Sequence, residues 1–231
     1  MNLNILNAFA VSVTRLGAGL NASNSGDHTD LQPLEYYEFE ACPFCRKVRE
    51  AMSELNLNAM VYPCPKGGQR YRESLEQLAG KQQFPYLIDP NTGWKGYESK
   101  DIVEYLFETY GNEKKPGVLI KGNLLASINS SLASAVRLSK GVNAQPSTLP
   151  DQPLELYSFE ASPFCRIVRE KLCELEIPYL LHNVAKNSPS RDKFIERSGK
   201  MMVPYLIDPN TGTEMFESED IVRYLEQTYA R

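Results

Sequence analysis

Apolar and polar positions along this chain fall into two blocks written to the same plan. In the first, Leu34-Glu35-Tyr36-Tyr37-Glu38-Phe39 is a short apolar and aromatic run opened by Pro33, and it predicts a strand. Val48, Met52 and Leu55 then recur at helical spacing with charges between them, which predicts a helix over residues 43–56. The pattern continues with a strand near 59–62, a helix near 70–79, strands near 84–89 and 94–97, and a helix near 99–109. Asp89-Pro90-Asn91-Thr92-Gly93 has the composition of a turn and joins the last two strands as a hairpin. Strands alternating with helices, then a hairpin and a closing helix, predict an α/β domain: a mixed sheet with flanking helices.

The second block repeats the first. LEYYEFEACPFCRKVRE, starting at Leu34, returns as LELYSFEASPFCRIVRE, starting at Leu154, an offset of 120. The nine residues from Pro85 to Gly93 return unchanged from Pro204 to Gly212, an offset of 119, so one residue is deleted between the two motifs in the second copy. Glu98-Ser99-Lys100-Asp101-Ile102 returns as Glu217-Ser218-Glu219-Asp220-Ile221. The repeat also extends upstream, where Arg15-Leu16-Gly17-Ala18-Gly19 is similar to Arg137-Leu138-Ser139-Lys140-Gly141. Leu124, Ile128, Leu132 and Val136 form one apolar stripe there, an amphipathic helix that Gly141 would end; Leu6, Ala10 and Val13 are the N-terminal counterpart. The organisation expected is a leading helix and linker over residues 1–32, a domain over 33–110, a second amphipathic helix and linker over 111–152, and a second domain over 153–231. Polar stretches at residues 21–32 and 145–152 read as flexible linkers.

Composition narrows the function classes. With 42% hydrophobic and 23% charged residues, the chain is that of an ordinary globular protein. A net charge of −4, with no basic stripe, argues against a nucleic-acid partner. No run approaches the ~18 apolar residues of a membrane span. Five cysteines, an odd number over a long chain, argue against a secreted disulfide framework and for a reducing compartment, the cytoplasm or a reducing organelle. The segment Ile5–Val13 looks like a short signal core but has no basic residue before it, and it recurs in mid-chain. It reads as structure, with a targeting role as the alternative.

The chemistry centres on Cys42-Pro43-Phe44-Cys45, where the first strand hands over to the first turn of a helix. Free N–H groups and the positive dipole end there favour a thiolate over a thiol, and Pro43 fits a turn that needs no N–H from it. The same spacing serves half a zinc site or a buried structural pair. Zinc needs two more ligands at matching spacing, whereas Cys64, Cys165, Cys173, His28 and His182 are scattered. Thiol chemistry with no metal is the reading taken.

The element order, with C-P-F-C after the first strand and Phe84-Pro85 and Val203-Pro204 before the third strand of each copy, resembles the thioredoxin fold. More narrowly, it is similar to glutaredoxins and to the N-terminal domain of glutathione transferases, to which the Glu-Ser pairs and Phe44 draw it closer. The resemblance covers both domains, so the fold expected is two tandem thioredoxin-like domains, and it implies glutathione as the ligand. It further implies that Pro85 and Pro204 are cis, with the backbone of Phe84 and Val203 pairing with glutathione. Glu98-Ser99 and Glu217-Ser218 would hold its γ-glutamyl end at a helix N-terminus; alternatively, Ser99 and Ser218 are plain N-caps. By position in the family, Cys42 is the exposed attacking thiol and Cys45 resolves. Cys42 is replaced by Ser162 in the second copy, which leaves Cys165 at the resolver's position. Ser162-Pro163-Phe164 is similar to the motif of plant-type transferases, in which the hydroxyl stabilises the glutathione thiolate; a degenerate copy is the alternative. Lys81 and Lys200 either meet the glycyl carboxylate or are solvated. Cys64 is an extra exposed thiol in a loop or a bystander, and Cys173 belongs to the core. The function implied is a glutathione-dependent thiol–disulfide oxidoreductase acting through the first domain, on oxidised or glutathionylated proteins or small disulfides. The second domain would be a degenerate glutathione-binding copy. The alternatives are a non-catalytic glutathione-binding or redox-sensing scaffold, or an enzyme of the glutathione transferase or isomerase type.

Overall fold

The computed structural model describes residues 18–22, 26, 28, 30–113, 115–116 and 140–231. The two expected leading helices and the segment weighed as a targeting peptide lie outside the described residues. The first half runs β1 (Leu34–Glu38), α1 (Pro43–Glu54), β2 (Ala59–Pro63), α2 (Arg70–Ala79), β3 (Tyr86–Ile88), β4 (Lys95–Tyr97) and α3 (Ser99–Tyr110). The second half repeats the order as β5 (Leu154–Ser158), α4 (Pro163–Glu174), β6 (Tyr179–Asn183), α5 (Ser190–Ser198), β7 (Tyr205–Asp208), β8 (Thr213–Phe216) and α6 (Ser218–Tyr229). Each half is thioredoxin-like, with one parallel pair, β1 with β2 or β5 with β6, and an antiparallel hairpin on the other side of β1 or β5.

The two sheets are one. Strand order is β4-β3-β1-β2-β6-β5-β7-β8, joined by the antiparallel pair β2 and β6. Its register sets Met60 against Leu180, with Ala59 against Leu181 and Val61 against Tyr179. Met60 and Leu180 are equivalent under the offset of 120, so a local twofold axis passes between them. Successive side chains on a strand point to opposite faces. Tyr36 accordingly enters a core shared by both halves with Val48, Met52, Leu106, Val168 and Leu225, while Tyr37 enters a small cluster with Cys64, Leu75 and Tyr86. Val184, Phe194, Tyr205 and Ile207 form the matching cluster in the second half.

Helix α1 is buried on its charged side as well as its apolar one, because the second half covers it. Arg46, Arg49, Arg166 and Arg169 are all buried, with Glu38, Glu40 and Glu160 among them. The pairing crosses the boundary in both directions: Arg49 Nε donates to Glu160 at 3.0 Å, and Arg169 Nε donates to Glu40 at 3.1 Å. Arg49 also donates to Glu38, whose counterpart is Ser158, the acceptor of an Arg169 N–H at 3.1 Å. Burial pushes the Glu38 carboxyl up to about 8 against the opposing pull of Arg49.

The segments ahead of the two domains are exchanged across the same boundary. Ala22 N–H donates to Lys186 O, and Lys186 N–H to Leu20 O, both at 2.8 Å; in mirror fashion Lys66 N–H donates to Val142 O at 2.6 Å and Ala144 N–H to Lys66 O at 2.8 Å. Residues 145–152 are not the loose linker their composition suggests. Gln145 N–H donates to Glu174 O at 2.7 Å, Thr148 N–H to Tyr229 O at 2.7 Å, and Arg70 Nη2 to Ser147 O at 2.6 Å. Partners from three other elements, two of them backbone carbonyls and one a guanidinium, satisfy the backbone of this polar stretch, which is what fixes it.

The Asp-Pro-Asn-Thr-Gly turn is closed by its aspartate. Asp89 Oδ1 accepts from the Asn91 backbone N–H at 2.8 Å, and Oδ2 accepts from Tyr105 and Tyr110 hydroxyls at 2.5 Å each. Asp208 repeats this with Asn210, Tyr224 and Tyr229. Burial raises both carboxyls, but the hydroxyl and amide donors outweigh it and hold them below the ordinary aspartate value. Their contribution to stability is therefore full above about pH 4, the unfolded value, and is lost as pH falls through the lower folded value. Asp89→Asn with Asp208→Asn should flatten the acid limb of the stability profile, measured as urea midpoints from pH 7 down to pH 3. An unchanged acid limb would exclude these turns as its source.

Candidate functional site

Cys42 is the N-cap of α1, in extended conformation (φ −67°, ψ 119°), with Pro43 in the first turn. Its Sγ accepts the Cys45 N–H at 3.2 Å, and its own N–H donates to Phe39 O at 3.0 Å. Cys45 lies behind it at 0% exposure, with its carbonyl held by the Tyr36 hydroxyl at 2.9 Å. Burial acts to raise the Cys42 thiol. The Cys45 thiol, the N–H groups of Cys45 and Phe44, and the Arg49 charge outweigh burial and bring it below the ordinary cysteine value. Burial and the neighbouring Cys42 push Cys45 well above it. The two thiols are thus driven apart, as an attacking and a resolving thiol require.

One expectation fails here: Cys42 is 4% exposed, not open to solvent. The strand-to-helix turn folds it into the core, while Phe44, at 47%, is the exposed member of the motif. Cys64 is not an exposed thiol either. Its N–H donates to Glu38 O at 2.6 Å, which draws it beneath α2, and its side chain is fully buried. Cys173 is in the core as expected. All five cysteines are free thiols.

Ser162 repeats the geometry of Cys42, with φ −73°, ψ 120° and Oγ accepting the Cys165 N–H at 3.3 Å. Both X-Pro bonds, Phe84-Pro85 and Val203-Pro204, are cis. The Phe84 ring meets Phe39 edge-on, with centroids 6.2 Å apart, and the Arg72 guanidinium lies 4.8 Å from its centroid. The Glu-Ser pairs are arranged differently from a plain serine cap. Glu98 and Glu217 are the cap residues, at φ 64° and 68°, and Ser99 and Ser218 are the buried first residues of α3 and α6. A non-glycine residue in that region carries strain of roughly 1–3 kcal/mol, and such residues cluster at ligand sites. Glu98 also accepts from Gln83. Lys81 and Lys200 each stand 4.3 Å from a ring centroid, over Tyr97 and Phe216.

Among the described residues three clefts lie elsewhere, one of about 390 Å³ beside Glu104 and Phe107, one of about 370 Å³ beside Arg70, Gln145 and Glu176, and one of about 340 Å³ beside Tyr157, His182 and Phe194. None is lined by Cys42 or Ser162. Among the described residues there is no cluster of three or more His, Cys, Asp or Glu able to hold a metal, and no helix long and apolar enough to cross a membrane. The residues that the sequence pattern did not bring out are Arg49, Arg169, Glu40 and Glu160. Their signal was present: R-x-x-R-E follows the motif in both copies, and Glu40 and Glu160 match.

Comparison with known proteins agrees with this architecture. No curated protein sequence matches the chain. Among solved structures, Leishmania TDR1, a trimeric glutathione transferase, is similar at 13% identity, with 87% of this chain and 68% of that chain covered. Its TM-score of 0.32 is too low to bear on the assignment. The family described as glutathione S-transferase, N-terminal domain, matches twice, at residues 37–114 and 156–231. Because those matches span about two thirds of the chain, it belongs to the glutathione S-transferase N-terminal domain family, with a glutathione-related function, and carries that domain in two tandem thioredoxin-like copies.

Proposed function

We propose that the chain is a glutathione-dependent thiol–disulfide oxidoreductase whose chemistry runs through Cys42. The observation that carries this reading is the N-cap placement of Cys42, its Sγ 3.2 Å from the Cys45 N–H, with a fully buried second thiol behind it. The Cys42 thiolate attacks the glutathione sulfur of a mixed disulfide R–S–S–G, forming Cys42–S–S–G and releasing the R thiolate, which takes up a proton. In the direct route one glutathione thiolate attacks the glutathione sulfur of Cys42–S–S–G, freeing the Cys42 thiolate and releasing glutathione disulfide, one half of which came from the substrate. In the other route Cys45 displaces glutathione from Cys42, and two glutathione thiols then reduce the Cys42–Cys45 disulfide and leave as glutathione disulfide. The 4% exposure of Cys42 favours slender, tripeptide-sized disulfides over disulfides within folded proteins.

In this reading Phe84-Pro85 and Glu98-Ser99 hold glutathione in the first half. Val203-Pro204 and Glu217-Ser218 hold it in the second, where Ser162 keeps the hydrogen-bond geometry but removes the dithiol route. That shared geometry also favours a second reading, in which the Ser162 hydroxyl donates to a glutathione thiolate as in a transferase. The test is steady-state reduction of a glutathione–cysteine mixed disulfide by the full chain with reduced glutathione. Turnover is expected. No turnover, with conjugation of glutathione to an electrophile instead, would replace the first reading with the second.

A further inference from the structure

The loop that carries Cys42 is held from the other half of the chain. Glu40, two residues ahead of the thiol, is 1% exposed, and all its polar groups are engaged. Its N–H donates to Cys173 Sγ at 3.4 Å, and its carbonyl accepts from Arg49 Nη2 at 3.0 Å. Its carboxylate receives the two-pronged fork of Arg169, Nε to Oε2 at 3.1 Å and Nη2 to Oε1 at 3.2 Å, with Arg166 Nε at 3.8 Å. Arg166, Arg169 and Cys173 all stand on α4. The Cys42 N–H is fastened to Phe39 O across the same short turn. A shift of Glu40 therefore moves the thiol relative to the Cys45 N–H.

We propose that Arg169 is a positioning residue for Cys42, so that the second half, which lacks a thiol at position 162, sets the reactivity of the thiol in the first. This rests on the reading of Cys42 as the attacking thiol. A planar guanidinium fork fixes both distance and orientation of a carboxylate, which a single ammonium does not. The groups that act on Cys42 directly are Cys45, Phe44 and Arg49 from α1 and Tyr36 and Glu38 from β1; from across the boundary Glu160 meets Arg49, and Arg166 and Arg169 meet Glu40. Helix α3 presents Ile102, Val103 and Leu106 to the core. Loss of Arg169 removes a positive charge, leaves Glu40 less compensated and loosens the turn. All three changes disfavour the thiolate, so the direction of the effect is fixed.

The test is the pH dependence of iodoacetamide alkylation at Cys42 in the full chain, read from the mass of the Cys42 peptide. Arg169→Gln should move the midpoint up by about one pH unit, which is about a tenfold loss of rate below the midpoint. Arg169→Lys keeps the charge without the fork and should fall between the two. A folded Arg169→Gln chain, with its near-ultraviolet circular dichroism intact and a profile superimposed on wild type, would overturn the proposal. A second measurement needs no variant. Coupling between sites is reciprocal, so alkylating Cys42 in the wild-type chain should change hydrogen exchange along residues 163–174. Unchanged exchange there would overturn the proposal even if the variants do not fold. Neither measurement uses a disulfide substrate. Failure of mixed-disulfide turnover therefore counts against the proposed reaction alone, and superimposed profiles count against the positioning role of Arg169 alone.

Discussion

Glu160→Ala is expected to lower the unfolding free energy by about 3–5 kcal/mol, because it removes one partner of a buried ionic cluster and leaves the others uncompensated. Four guanidinium groups surround this carboxylate: Arg169 at 2.7 Å, Arg49 at 3.0 Å, Arg166 at 3.4 Å and Arg46 at 3.6 Å. Burial acts to raise the Glu160 carboxyl, yet the charges of Arg169, Arg49, Arg166 and Arg46 hold it well below the ordinary carboxylate range. Domains are stable by only about 5–15 kcal/mol, so the loss would be a large part of the total. Glu160→Gln, which keeps the shape and an acceptor but not the charge, should lose most of the same amount. Because the folded value is depressed, the contribution of Glu160 is present above about pH 4.3 and lost as pH falls through the folded value. The variant should therefore show a flatter acid limb than wild type. Urea unfolding at neutral and acid pH measures both effects, and a loss under about 1 kcal/mol would show that the cluster is not held together in this way.

Cys42→Ser should abolish turnover of a glutathione mixed disulfide, whereas Cys45→Ser should keep it. The first change removes the atom that forms the bond to glutathione. The second leaves the mixed disulfide at Cys42 to be cleared by a second glutathione, with no need for a resolving thiol inside the chain. Alkylation against pH should separate the same two residues, with the Cys42 midpoint below the ~8.5 of free cysteine and Cys45 unreactive until well above it. The cause is local: the Cys45 N–H points at Cys42 Sγ, whereas Cys45 is enclosed. Faster reaction at Cys45, or turnover that survives Cys42→Ser, would reverse the assignment.

The elements were legible because each half obeys simple periodicities. The strand at Leu34, the helix opened by Pro43 and the Asp-Pro-Asn-Thr-Gly turn all stand where the pattern put them. The two cis prolines were not readable from local chemistry, since most X-Pro bonds are trans; they came from the resemblance of the surrounding motifs. The joining of the halves was hidden for a physical reason. Strands β2 and β6 are short, and each alternates buried and half-buried residues as an edge strand would. Arg46 and Arg49 lie between apolar positions on α1, as charges on a solvated face do, and only the second copy shows that no solvent reaches them. The strained Glu98 and Glu217 caps escaped notice because glutamate gives no hint of a left-handed backbone.

The seam between β2 and β6 has a consequence for how the protein is made. A ribosome delivers the first half roughly ten seconds before the strand that completes it, at ordinary rates of synthesis. Over that interval β2 is an unsatisfied edge, an open template for any strand of matching register. Because Met60 and Leu180 sit astride a local twofold, the backbone register that β2 offers is self-complementary, so the β2 edge of a second nascent first half can pair with it. Neighbouring chains on one polysome are therefore competitors for the seam, and correct pairing depends on the tether between the two halves outpacing encounters between chains.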